Sequence, residues 1–133
     1  GGPALSASAP ASVASLHEFH AASADIARGI HVTSQQLSQL TKLVQRRGLF
    51  NDPADDINTL VHSIKEGIQG LNGQLDSTQA YVEHQRRKLG QQPANHSAHV
   101  VGQLKTELME TTKAFKDVLQ QRSLNLKVSN AKY

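Results

Sequence analysis

From Leu16 onward the apolar residues fall at Leu16, Phe19, Ile26, Ile30, Leu37, Leu40 and Val44, and Ser23 and Thr33 fill the vacant slots. Every step between the apolar positions is three, four or seven, which on a helix puts all of them on one seam. A second seam runs Ile57, Val61, Ile64, Ile68, Leu71, Leu75, Val82 and Leu89, with Thr78 and Gln85 in its gaps. A third reads Val101, Leu104, Leu108, Phe115 and Val118 around Thr111, and continues less cleanly through Leu119, Leu124 and Leu126. No stretch shows the period-two alternation of a strand. The pattern predicts helices over residues 15–47, 53–89 and 96–127. Three such seams can cover one another, so the expected fold is all-α: an elongated, antiparallel, up-down-up three-helix bundle over residues 15–128. Residues 1–14, small and uncharged, read as a disordered lead or a cloning remnant, and 129–133 as the start of a linker.

The boundaries carry their own signals. Ser15 and Glu18 have the S-x-x-E spacing of a capping box, in which each satisfies a backbone donor at the helix start. At the first corner, "RRGLFNDPADD", Arg46 and Arg47 suit the negative end of a helix dipole, Gly48 suits a left-handed stop, and Leu49 supplies the contact that follows it. Asp52 is then a good N-cap, Pro53 suits N1 and Asp55 suits N3. A link that short makes its two helices antiparallel neighbours. Arg86, Arg87 and Lys88 repeat the basic last turn, and Gly90 repeats the stop. The following "GQQPANHSA" reads as a loop, with Asn95 or Ser97 as the next cap.

Composition narrows the function. The chain has 133 residues, 38% hydrophobic and only 4% aromatic, with no Trp. That fills a Leu/Ile/Val core but gives little for an aromatic ligand pocket or a base-stacking platform. With no Cys there is no disulfide, thiolate nucleophile or Cys-based zinc site. No apolar run approaches the ~20 residues of a membrane span, and no signal peptide is visible. The net charge of +3 is mild, and basic residues are scattered or sit at predicted helix ends, so nucleic acid is not an expected partner. His17 and His20, and again His96 and His99, are spaced i, i+3 rather than the i, i+4 of H-E-x-x-H, and no third ligand is evident. They read as solvated side chains, so no metal and no cofactor is expected. Asn95-His96-Ser97 is a formal glycosylation triplet whose Asn and Ser read better as caps. Gly67, Gly70 and Gly73 interrupt the second helix, each costing up to about 1 kcal/mol relative to Ala, either as a tolerated soft spot or as a close-approach surface for another helix. No nucleophile elbow, phosphate loop or carboxylate pair is present, so an enzyme is not expected and surfaces should carry the function.

Certain stretches go further. "KLVQRRGLFNDPADDINTLVHSIKEGIQGLNGQL" (42–75), "FKDVLQQRSLNLK" (115–127), "HSAHVVGQLKTEL" and "EFHAASADIARGI" together resemble the N-terminal Habc domain of Golgi syntaxins, the syntaxin 5 group. The resemblance covers roughly residues 15–127. Its most specific parts are the Leu49-Phe50-Asn51-Asp52 corner and the ending of the third helix. It implies the regulatory part of a Qa-SNARE acting in membrane fusion between endoplasmic reticulum and Golgi and within the Golgi, on the cytosolic face of Golgi and ER–Golgi intermediate membranes. The family's SNARE helix and membrane anchor would follow Tyr133. The implied partners are that SNARE helix and Sec1/Munc18-type or tethering proteins, with the domain itself a monomer. Residues 1–14 do not match the family's Asp-Arg-Thr-x-x-Phe-like peptide, so that partner site is not carried over.

In plasma-membrane syntaxins a groove between the second and third helices holds the SNARE helix. The residues here that flank the seams, and so form the candidate docking groove, are Leu60, Gly67, Met109, Leu119 and Leu126. Two other readings share the heptads. A spectrin-like scaffold repeat usually carries a buried Trp, absent here, and a lipid-surface helical bundle wants Lys or Arg along a polar face, whereas the basic clusters here sit at predicted helix ends.

Overall fold

Ser15 begins the first helix as the sequence predicts. In a computed structural model that describes residues 13–46 and 53–132, Ser15 Oγ accepts from Glu18 N–H at 3.1 Å, and Glu18 Oε2 accepts from Ala14 N–H at 3.0 Å. The carboxylate thus reaches one residue further back than in the usual box. Helix α1, Leu16–Gln45, buries Phe19, Ser23, Ile26, Ile30, Thr33, Leu37, Leu40 and Val44, which is the first seam without Leu16. Leu16, in the first turn, is 49% exposed. The helix closes on Arg46, whose N–H donates to Leu43 O at 3.2 Å. Arg47, Gly48, Leu49, Phe50, Asn51 and Asp52, to which the corner signals belong, lie outside the described residues.

Helix α2, Ala54–Leu89, starts one residue later than Pro53 at N1 would give. Pro53 itself is the cap, and Asp55 and Asp56 are the acids of the first turn. Helix α3, Gln91–Lys132, corrects the sequence reading most. The loop expected at 90–98 is reduced to Gly90 alone, and neither Asn95 nor Ser97 is a cap. Gly90 has φ 91° and ψ −175°, a conformation close to glycine's own, and its N–H donates to Arg86 O at 3.0 Å. Pro93 is tolerated because it is the third helical residue, where a backbone N–H has no acceptor within the helix. The extra turn brings Ala94 and Ser97 into the core, at 0% and 2% exposed. At its other end the helix runs through to Lys132.

All three helices pack against one another, and no strand occurs among the described residues. The pairing shows their directions. Phe19 stacks on Tyr81 at 5.2 Å, and Gly29 faces Leu71, so α1 and α2 are antiparallel. Asn125 Nδ2 donates to Val44 O at 3.1 Å, so α3 runs parallel to α1. At 1.5 Å per residue the helices are about 45, 54 and 63 Å long, an elongated up-down-up bundle. The polar residues placed in the seams stay there. Thr33, Thr78 and Thr111 return their hydroxyls to carbonyls of their own helix at 2.8–2.9 Å, which makes a buried threonine tolerable. Gln85 donates to Tyr81 Oη at 3.1 Å. Ser23 Oγ and Gln85 Oε1 have no partner among the described residues.

Candidate functional site

The bundle leaves open furrows between neighbouring helices, and the five candidate docking residues do not share one. Gly67 lies between α1 and α2: a Cβ there would stand 3.1 Å from Thr33 Oγ1. The close neighbour at this glycine is α1 of the same bundle. Gly29, which the sequence reading did not single out, is the tighter point, with a Cβ position 2.6 Å from Leu71 Cδ2. Beside these two glycines an open trough of about 850 Å³ is lined mostly by small and amide side chains, among them Ser63, Gln36 and Gln74. Leu60 lines another α1–α2 hollow, of about 410 Å³, with Leu43, Lys42 and Arg46. Gly70 meets nothing within 4 Å.

Met109 is on the other side, in the furrow between α2 and α3. It is 67% exposed above a floor made by Leu75 and Leu108, which are 5% and 2% exposed. Asn72, Thr112, Lys105, Lys113 and Lys116 complete the lining of this hollow of about 390 Å³. Helical periodicity turns Leu119 and Leu126 about 80–100° away from Met109, toward the buried Leu108, and neither lines this hollow. Leu119 is half-buried against the core, whereas Leu126 is 45% exposed. Of the five candidates only Met109 lines the α2–α3 furrow, and Leu60 and Gly67 belong to the α1–α2 side. The three lysines around Met109 were missed by a reading that looked for basic residues at helix ends. Their spacing of eight and three was the available signal.

Among the described residues no three His, Asp or Glu side chains come together as a metal set. His62 pairs with Glu66 at 3.2 Å on the surface, and His20 sits edge-on to Phe19 at 5.9 Å. No described helix is long and apolar enough to cross a membrane. What the furrow presents is an apolar floor one side chain deep, flanked by cations.

Comparison with known proteins gives the lineage. The chain is 40% identical over 119 residues to syntaxin-32 of Arabidopsis thaliana, covering 86% of this chain and 34% of the relative. It is 36% identical over 112 residues to the integral membrane protein sed5 of Schizosaccharomyces pombe, covering 84% and 36%. Human syntaxin-5 matches at 34% over 110 residues, covering 83% and 31%. The chain is homologous to the Golgi syntaxins, which are Qa-SNAREs. It spans about a third of the length of these syntaxins. No family model matches the chain. No solved structure matches it.

Proposed function

We propose that this chain is the regulatory N-terminal domain of a Golgi syntaxin, one that controls SNARE assembly and vesicle fusion in ER–Golgi and intra-Golgi transport by binding proteins. The observation that carries this reading is that the syntaxin homology extends over 83–86% of a chain that folds as a self-covered three-helix bundle with an open furrow. The parent protein would work on the cytosolic face of Golgi and ER–Golgi intermediate membranes. Its own SNARE helix is the occupant that fits the α2–α3 furrow. An amphipathic helix needs an apolar strip to lie on, and Leu75, Leu108 and Met109 supply one. Sec1/Munc18-type or tethering proteins are the other partners of this reading.

The test is titration of the separately made SNARE helix of the parent protein into the isotopically labelled chain, followed by NMR. Shifts should cluster at Leu75, Leu108, Met109 and Thr112. Shifts confined to Leu60 and Gly67 would move the binding to the α1–α2 side, and none at high micromolar concentration would remove the SNARE helix as the occupant.

A further inference from the structure

The charges of α3 are segregated around its axis. At 100° per residue, Lys105, Met109, Lys113, Lys116 and Lys127 fall within an arc of about 80°. All five are exposed. The acids of the helix, Glu107, Glu110 and Asp117, lie outside that arc, beginning about 40° beyond Lys113. Across the furrow, periodicity turns two carboxylates of α2 toward α3, Asp76 and Glu83, and Glu83 is held by Arg86 at 2.6 Å. None of the four lysines forms an ion pair among the described residues, where the pairs are Asp25–Arg28, His62–Glu66 and Glu83–Arg86. The result is a row of four unmatched cations about 33 Å long with one exposed thioether about one turn from its Lys105 end.

We propose that this lysine face of α3 is a membrane-contact surface that lays the bundle lengthwise on an anionic bilayer. The ammonium groups stand at headgroup level, and Met109 enters the interface between them. Two observations favour a plane over an acidic protein. First, Lys105, Lys113 and Lys116 line the α2–α3 furrow, whereas Lys127, on the same face of α3, does not. A flat anionic surface reaches all four lysines, but a helix in the furrow reaches three. Second, the cations are all lysine, flexible point charges on long apolar stems that suit a diffuse headgroup layer better than paired carboxylates in fixed geometry. Each lysine near such a surface contributes about a fivefold gain in partitioning, and four together roughly several hundredfold. The proposal does not depend on the SNARE-helix reading, although both use Met109 and so would exclude one another at that residue.

The experiment is flotation of the chain with vesicles of phosphatidylcholine alone and of equal parts phosphatidylcholine and phosphatidylserine. Binding is expected only to the second, and high salt should release it. Lys105→Gln with Lys116→Gln should weaken partitioning about 25-fold, and Lys127→Gln about fivefold, with helical circular dichroism unchanged. Arg28→Gln with Lys42→Gln removes the same charge from α1, on the far side of the bundle, and should change partitioning less than about twofold. An equal loss in that control would show a net-charge effect and overturn the assignment. So would equal binding to both kinds of vesicle. Absence of vesicle binding together with saturable binding of a polyglutamate peptide would give the face to an acidic protein instead.

Discussion

Three glycines offer an internal experiment on how closely α1 and α2 approach. In an open helix interior, Gly→Ala should stabilise by up to about 1 kcal/mol, because Ala loses less backbone entropy. Gly70 is such a site, with nothing within 4 Å of its Cβ position. Gly29 is the opposite case. A Cβ there would stand 2.6 Å from Leu71 Cδ2, with Cγ at 3.5 Å and Cδ1 at 3.7 Å. Carbon–carbon contact is comfortable near 3.5–4.0 Å, so the terminal methyl must retreat by about 1 Å. Leu71 is 4% exposed and packed in the core, so its methyl must move against its neighbours. Overpacking of that kind costs about 1–3 kcal/mol. Less the propensity gain, Gly29→Ala should lose about 1 kcal/mol net, while Gly67→Ala, 3.1 Å from a threonine hydroxyl, should be close to neutral. Thermal melts read by circular dichroism would separate the three, since about 1 kcal/mol is worth roughly 3–5 °C in a chain of this size. Shortening the neighbour, Leu71→Val, should make Gly29→Ala less harmful, a positive coupling in a double-mutant cycle. If Gly29→Ala raised Tm as much as Gly70→Ala does, the two helices would not be in contact at this level.

Three further outcomes can be checked the same way. Gly90→Ala forces a side chain into the positive-φ conformation of the α2–α3 joint and should cost about 1–3 kcal/mol, read from the midpoint of a urea melt. Ser15→Ala removes the acceptor of the Glu18 N–H and should cost about 1 kcal/mol, with fraying confined to the first turn of α1 in hydrogen exchange. Phe115→Ala, at a residue 7% exposed, should cost about 3–5 kcal/mol, whereas Leu124→Ala, at one 49% exposed, should stay within about 0.5 kcal/mol.

The seams were legible because a heptad repeat leaves little choice of face. Phe19, Ile26, Ile64 and Leu108 lie where the spacing puts them, even through the threonine slots. The seams failed at the bundle ends, where Leu16 and Leu89 keep the period but have less packed over them, at 49% and 57% exposed. The start of α3 was misread because Gly90, Pro93, Asn95 and Ser97 are all loop or cap residues taken one at a time. Proline's tolerance in a first turn decides the matter, and Ser97 becomes core. Tyr81 was missed because it lies beside the α2 seam and is buried through its stacking on Phe19. The candidate furrow was only half legible for a geometric reason. A heptad pattern fixes which face of a helix is inward, but not which neighbour stands to its left or right. Two bundles of opposite turn share the same seams, so nothing in the spacing could say that Leu60 and Gly67 look toward α1 while Met109 looks toward α2.

The one-residue joint at Gly90 also bears on how the chain reaches this structure. Contacts between α2 and α3 begin a few positions apart in sequence and can zip outward from the joint, each new turn closing only a slightly longer loop. Helix α1 enjoys no such advantage against α3, since the Asn125–Val44 bond joins positions 81 apart. The α2–α3 hairpin closes a shorter loop than the link at 46–53 that joins α1 to α2, so it should form first and α1 should dock late. Truncations in the hairpin, such as Leu104→Ala, should slow refolding, and those on α1, such as Ile26→Ala, should mainly hasten unfolding. A chevron plot on each variant would show whether the joint is where folding begins.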